Sequence, residues 1–154
     1  MKIFIMRHGE AEHFADSDAA RELTQRGRTE SEAVARACAE QGFAQFDKVL
    51  VSPYIRAQQT WQEISTFFST KSIETSDDIT PYGQSDCVFD CANALIEVEK
   101  LESLLFVSHL PLVGYLTSEF VKEMTPPMFP TSGLVCIEYE PQTQRGEVLW
   151  HITP

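Results

Sequence analysis

The chain has 154 residues, 43% of them hydrophobic, enough to bury one sizeable core and about the size of one ordinary domain, residues 1–154. A formal charge of −11 argues against a general nucleic-acid binder, which carries a basic face, and against docking on anionic lipid. No apolar run approaches the ~20 residues that span a bilayer, and too few apolar residues follow Lys2 for a signal-peptide core, so the expectation is a cytoplasmic protein, monomeric by default.

Lys2-Ile3-Phe4-Ile5-Met6 reads as a short buried strand that runs straight into Arg7-His8-Gly9. Gly9 permits a tight turn and a close backbone approach at that strand end. A polar loop over residues 10–23 leads to a helix expected over about 25–41, with Thr24 as N-cap, Gly42 as stop, and Val34, Ala37, Cys38 and Gln41 on one face. Asp47-Lys48-Val49-Leu50-Val51 is a second strand, apolar enough for a central parallel position. Ser52 then reads as an N-cap with Pro53 at the first helical position, opening a helix to about residue 68 with Ala57, Trp61, Ile64 and Phe68 at helical spacing.

A weak strand is expected near Ile73. Ser85 is expected to cap a further helix that turns Val88, Ala92, Leu95 and Ile96 inward. Leu104-Leu105-Phe106-Val107 is the third clear strand, followed by Ser108-His109-Leu110-Pro111 and a helix to about Val121. Residues 123–131 hold three prolines and read as a loop; Leu134–Tyr139 and Glu147–Ile152 read as a closing hairpin around Gly146. Alternating strands and helices without repeats or linkers predict one α/β domain. The four cysteines, Cys38, Cys87, Cys91 and Cys136, form no C-x-x-C pair and read as free thiols.

Three strands end in the same style, with polar groups directly after an apolar run. They supply Arg7 with His8, then Arg56, then His109. If these strands are adjacent and parallel, the four side chains meet at the carboxyl edge of the sheet, where ligands of open α/β sheets bind. Two arginines and two histidines there make an anion pocket. Counted from Ser52 as cap, Arg56 lies in the first turn of its helix, where a cation opposes the macrodipole. A bound phosphate reverses that sign, since the dipole and the guanidinium then both favour the anion. Arg21 is placed to reach the pocket mouth and touch substrate. His13 and His151 fall outside the pattern.

These motifs resemble the histidine phosphatase (phosphoglycerate mutase-like) superfamily: Arg7-His8-Gly9, Ser52-Pro53-Tyr54-Ile55-Arg56-Ala57 and the late His109. Ile5 to Gly9, Val49 to Pro53, Ser108 to Leu116 and Thr125 to Phe129 look more closely still like its small bacterial SixA-type phosphohistidine phosphatases. The resemblance covers essentially the whole chain. It implies a three-layer α/β/α fold with a mixed, mostly parallel central sheet, His8 as the phosphorylated nucleophile, and a phosphate pocket of Arg7, Arg56 and His109. It implies no cofactor, and no carboxylate cluster suggests a metal. Larger members of the superfamily carry an acidic proton donor on an inserted segment; the stretch Asp77-Asp78-Ile79-Thr80-Pro81-Tyr82-Gly83 is short and does not match it, so no cap domain is expected. Phosphohistidine leaves as imidazole, whose conjugate acid has a pKa of roughly 6.5, and needs such an acid less than an ester does. The expected partner is a phosphorylated histidine-containing protein, such as a histidine phosphotransfer domain or a phosphocarrier. A small-molecule phosphomonoesterase and a non-catalytic phosphoprotein-binding module are the alternatives.

Overall fold

Alternate side chains of the first strand enter opposite cores, and the whole architecture follows from that. In the computed structural model, which describes Met1 to Pro154, the elements in chain order are β1 (Lys2–Arg7), α1 (Gln25–Glu40), β2 (Gln45–Phe46), β3 (Lys48–Val51), α2 (Ile55–Ile64), β4 (Ser69–Thr70), β5 (Ile73–Thr75), α3 (Ser85–Glu99), β6 (Ser103–Ser108), α4 (Leu112–Phe120), β7 (Leu134–Glu140) and β8 (Arg145–Ile152). Short 3-10 turns occupy Asp18–Ala20 and Asp77–Ile79. Ile3 and Ile5 point into a cluster with Val88, Phe89, Val113 and Phe120 of α3 and α4. Phe4 and Met6 point into a second cluster with Val34, Cys38, Ala57 and Ile64 of α1 and α2. A strand whose period of two feeds two apolar cores must be sandwiched between helices, which explains why β1 reads as an unbroken apolar run.

The main sheet has six strands in the order β5-β3-β6-β1-β7-β8. β5, β3, β6 and β1 are mutually parallel. β7 runs antiparallel to β1, and β8 antiparallel to β7. β2 and β4 form a separate two-stranded parallel ribbon. This is the three-layer α/β/α arrangement with a mixed, mostly parallel sheet that the sequence predicts. The register pairs Arg7 with Ser108 and Val51 with Val107, so β1, β3 and β6 end side by side.

Several local expectations need correction. Ser52 does not cap α2. Its backbone N–H still bonds Val107 O across the sheet at 3.1 Å, its Oγ accepts from Tyr54 N at 3.2 Å, and the helix starts at Ile55 with Tyr54 as cap. The helix also ends at Ile64, and Phe68 packs on Phe46 (ring centroids 4.9 Å apart) from outside it. Ser85 is the first residue of α3 and Gln84 its cap. The buried face of α1 is Gly27, Ser31, Val34, Ala35 and Cys38, rotated from the expected one, and Gln41 is exposed. The polar Ser31 is buried because its hydroxyl pairs with Ser132 Oγ at 2.9 Å, a long-range bond that apolar periodicity does not register. The closing hairpin turns at residues 141–144, and Gly146 lies inside β8 opposite Tyr139. Thr24 does cap α1, accepting from Gly27 N at 2.9 Å, and Gly42 follows that helix at φ +96.

Candidate active site

The carboxyl end of β1 is fastened on both sides before any side chain is considered. His8 N donates to Ser108 O at 2.9 Å, Arg7 N to Gly133 O at 3.0 Å, and Ser132 N to His8 O at 3.0 Å. Gly9 N then donates to Thr60 Oγ1 at 3.0 Å, and that hydroxyl donates to Arg56 O at 2.7 Å, so one threonine links the β1 end to the first turn of α2. A Cβ on Gly9 would sit 2.6 Å from Gly27 O and 2.7 Å from Ser31 Oγ, closer than side chains approach. The glycine is required here because helix α1 crosses against the turn.

On this frame the four expected side chains come together. His8, Arg56 and His109 are 6%, 3% and 1% exposed. The His8 and His109 rings lie 5.0 Å apart, and Arg56 Nε is 3.3 Å from His8 Nε2. Since guanidinium nitrogen only donates, His8 Nε2 accepts. His8 Nδ1 lies 2.7 Å from Gly9 O and therefore carries the ring proton. The backbone thus fixes the tautomer whose Nε2 lone pair is available for attack.

Arg7 gives one N–H to Phe129 O at 2.9 Å. Three buried side-chain polar atoms of the protein have no hydrogen-bond partner, and two are here: Arg7 Nε and His109 Nδ1. Buried polar groups are ordinarily paired, so an unpaired guanidinium donor and an unpaired imidazole nitrogen in one pocket mark a place built for a ligand. Burial, then the charges of Arg56, Arg7 and Arg21, push His8 down to about 3 against one opposing hydrogen bond to Gly9 O. Burial, followed by His8 and the same arginines, pushes His109 down to about 2. Both imidazoles are neutral at physiological pH.

A model of the histidine phosphatase superfamily (branch 1) matches residues 3–80. Over its full length the chain is 39% identical to the phosphohistidine phosphatase SixA of Escherichia coli K12, covering 94% of that protein. The chain belongs to the histidine phosphatase superfamily. A SixA homolog of Haemophilus influenzae is 35% identical over 98% of this chain and 94% of its own length. The solved structure of the protein histidine phosphatase SixA complexed with tungstate superposes with a TM-score of 0.93 at 39% identity, covering 100% of this chain and 97% of that one.

Within this histidine phosphatase fold, other residues bear on the pocket that spacing alone did not reveal. Asp18 holds Arg56 from the first loop: its carbonyl accepts from one guanidinium nitrogen at 2.7 Å and its carboxylate from another at 3.2 Å. Arg21, expected at the mouth, lies one step out and grips the same carboxylate at 2.9 Å. Burial pushes Asp18 up, but hydrogen bonds from Arg21 and Arg56 outweigh it and hold the carboxyl below its usual range. Tyr54 lies under Arg56, 5.0 Å from ring centroid to guanidinium carbon, and packs edge-on against His109. The nearest sequence signal for Asp18 was its place three residues before Arg21; none pointed to Thr60 or Tyr54.

Asp77 and Asp78 are exposed and line a groove of about 420 Å³ with Leu50, Val88 and Phe106, between β5 and α3. His13 is exposed in the first loop, and His151, in β8, packs at a tilt against Phe129. No group of three or more His, Cys, Asp or Glu side chains is placed to hold a metal ion. No helix is long and apolar enough to cross a membrane.

Proposed function

We propose that this protein is a phosphohistidine phosphatase that removes the phosphoryl group from a histidine of another protein through a phospho-His8 intermediate. The carrying observation is the fixed His8 tautomer in the pocket that also holds the unpartnered Arg7 Nε and His109 Nδ1. Phosphoryl transfer asks a protein chiefly for positioning and for charge stabilisation of the phosphoryl oxygens. His8 Nε2 attacks phosphorus; the bond to the substrate imidazole, protonated on its other ring nitrogen, breaks, and the electron pair stays on the departing nitrogen, giving neutral imidazole. Water then attacks phospho-His8, its protons leave with the departing phosphate, and Nε2 regains its lone pair while Nδ1 keeps its proton. Arg7, Arg56 and His109 hold the three phosphoryl oxygens, the arginines through forked donors.

The leaving-group argument favours a phosphoramidate. The carboxylate bonded to the pocket arginine, Asp18, is held in its ionised form and is a poor acid for an alkoxide. Imidazole departs without that help. The names of the relatives similar over the full chain support the same substrate class. This reading places the enzyme in the cytoplasm, where it acts as a single domain without a cap on a phosphorylated histidine protein such as a phosphotransfer domain or a phosphocarrier.

The test is kcat/KM for a phosphohistidine protein, an aryl phosphate and an alkyl phosphate in excess chelator. General acid catalysis contributes ~10²–10⁴-fold, so the alkyl ester is expected to lag by about that factor, with the aryl ester between. Equal turnover of alkyl phosphate, removed selectively by Asp77→Asn or Asp78→Asn, would instead establish a small-molecule phosphomonoesterase.

A further inference from the structure

What covers the pocket mouth can be read from the surface around it, given the phosphohistidine-phosphatase reading on which this rests. Four large apolar side chains are more than three-quarters exposed: Phe14 at 91%, Tyr82 at 80%, Val98 at 79% and Met128 at 78%. Val98 lies in the last turn of α3, at the opposite edge of the sheet. The other three arise from three separate segments, each tied to a pocket residue. Phe14 is in the loop that brings Asp18 to Arg56. Met128 precedes Phe129, whose carbonyl holds Arg7. Tyr82 follows Ile79, whose carbonyl accepts from Ser108 at 2.7 Å, beside His109. Ile55, 39% exposed, adjoins Arg56 itself. Single exposed apolar side chains are ordinary, but three carried on segments that each hold or flank a pocket residue mark an interaction surface.

The same segments expose Glu12, Asp16, Asp77 and Asp78, so the apolar groups sit in an acidic border. We propose that Phe14, Tyr82 and Met128 form a docking collar for a folded phosphohistidine protein whose histidine is surrounded by apolar side chains flanked by lysine or arginine. A body that carries its phosphate on a side chain long enough to reach His8 must lie across this border, whereas a free amino acid phosphate fills the pocket and leaves the collar bare. Exclusion of water by apolar contacts supplies affinity, and the carboxylates steer a basic partner.

The test replaces all three exposed side chains (Phe14→Ser, Tyr82→Ser, Met128→Ser) and compares two substrates: a histidine phosphotransfer domain phosphorylated with phosphoramidate, and free phosphohistidine. The expected result is a fall of about tenfold or more in kcat/KM for the protein substrate, with free phosphohistidine changed by less than about twofold and KM for the protein rising with added salt. Equal losses on both substrates, no loss on the protein, or a salt-independent KM would overturn the collar. Failure of the native protein to cleave either phosphohistidine substrate would instead overturn the functional reading beneath it.

An independent observation concerns Ser52, which is fully buried at the end of β3. Its Oγ accepts from Tyr54 N and lies 2.7 Å from His109 Nε2. The hydroxyl has one proton to give, and His109 Nε2 is the acceptor within reach. We infer that Ser52 is a positioning residue: it donates to Nε2 and so keeps the proton on His109 Nδ1, the atom without a protein partner. Neutral His109 is then a donor toward a phosphoryl oxygen. In the other tautomer it would present a lone pair that repels the anion.

Nitrogen-15 spectra of histidine-labelled protein decide this: His109 is expected to show a protonated Nδ1 and an unprotonated Nε2. Ser52→Ala is expected to mix the tautomers and lower kcat by about tenfold, a fraction of the ~10²–10³ that outright removal of one donor at a charge-developing oxygen costs, while Ser52→Thr keeps both the spectrum and the rate. A protonated Nε2 in the native protein would overturn the assignment, even if the alanine variant fails to fold. So would an alanine variant with unchanged spectrum and kcat.

Discussion

The two ends of the central sheet both carry buried cations, and they treat them in opposite ways. At the amino edge of the strands Lys48, Lys2 and the terminal ammonium are all matched by carboxylates. Lys48, 2% exposed, sits 3.0 Å from Glu99 and 3.1 Å from Glu74, Lys2 lies 2.7 Å from Glu138, and the terminal ammonium lies 3.3 Å from that same carboxylate. At the carboxyl edge Arg7 meets only a backbone carbonyl and leaves Nε unpaired, while two histidines are held neutral. Charge matched within the chain serves the fold; charge left unmatched on the same strands is available to a ligand. Arg56 is intermediate, held by the half-exposed Asp18.

The comparison breaks first at His8. His8→Ala is expected to cut turnover by ~10⁴-fold or more while folding normally, and rapid quench of the native enzyme is expected to find acid-labile phosphate on this residue. Substantial activity in the alanine variant would mean that another group attacks. Arg56→Ala is expected next, with a loss of about 10²–10³ in kcat, the scale of one removed oxyanion donor, and little change in urea midpoint. Its counterpart at the other edge is the pair Glu74→Gln, Glu99→Gln, which strands Lys48 as an uncompensated buried charge. About 3 kcal/mol of stability should be lost in urea titration, with kcat/KM untouched. If the Arg56 variant lost stability and the Lys48 partners lost activity, the division of roles would be refuted.

Acidity separates the two edges further. The unfolded chain takes up protons on His8 and His109 near pH 6.5, whereas the folded chain resists until about 3 and about 2. The contribution of these residues to stability is therefore complete above about pH 6.5 and declines as pH falls below it, since the unfolded state then binds more protons. Urea titrations between pH 6.5 and 5, above the carboxylate range, should show this decline, and His109→Gln should flatten it. Over that same interval kcat/KM should show no loss from protonation of His8; a drop with a midpoint near 6.5 would place the nucleophile in water. The smallest effect belongs to Asp18→Asn, which removes the carboxylate charge from Arg56 but leaves the backbone carbonyl bond, and should tighten inorganic phosphate inhibition by about threefold, as expected of a half-exposed ion pair.

Those features that depend on a strand and the residue after it were legible without coordinates. Apolar runs ending in Arg7, Val51 and Val107 located the carboxyl edge, and helical spacing located α3 and α4. What escaped was set by partners distant in the chain. Ser52 reads as a helix cap because serine before proline ordinarily is one, yet its N–H stays in the sheet with Val107 and its hydroxyl is committed to His109. Ser31 carries no apolar signal, and its burial is explained only by Ser132 opposite it. Thr60 carries no local pattern at all, and Asp18 only its place three residues before Arg21; one binds Gly9 and the other Arg56 across the fold.

The position of β1 has a consequence for how the protein is made. The strand that carries Arg7 and leads into His8 is made before every other strand of the sheet, but it lies between β6 and β7, at residues 103–108 and 134–140. Its ladder partners and His109 are synthesised only in the last third of the chain. Translation adds roughly 5–20 residues per second, so an apolar segment waits for seconds with neither neighbour in place, and long-range parallel pairing is slow to form once they arrive. A truncated chain that ends before β6 contains His8, Arg7 and Arg56 yet has no sheet on which to bring them together. The nucleophile can meet its pocket partners only once β6 and β7 have been made to flank its strand.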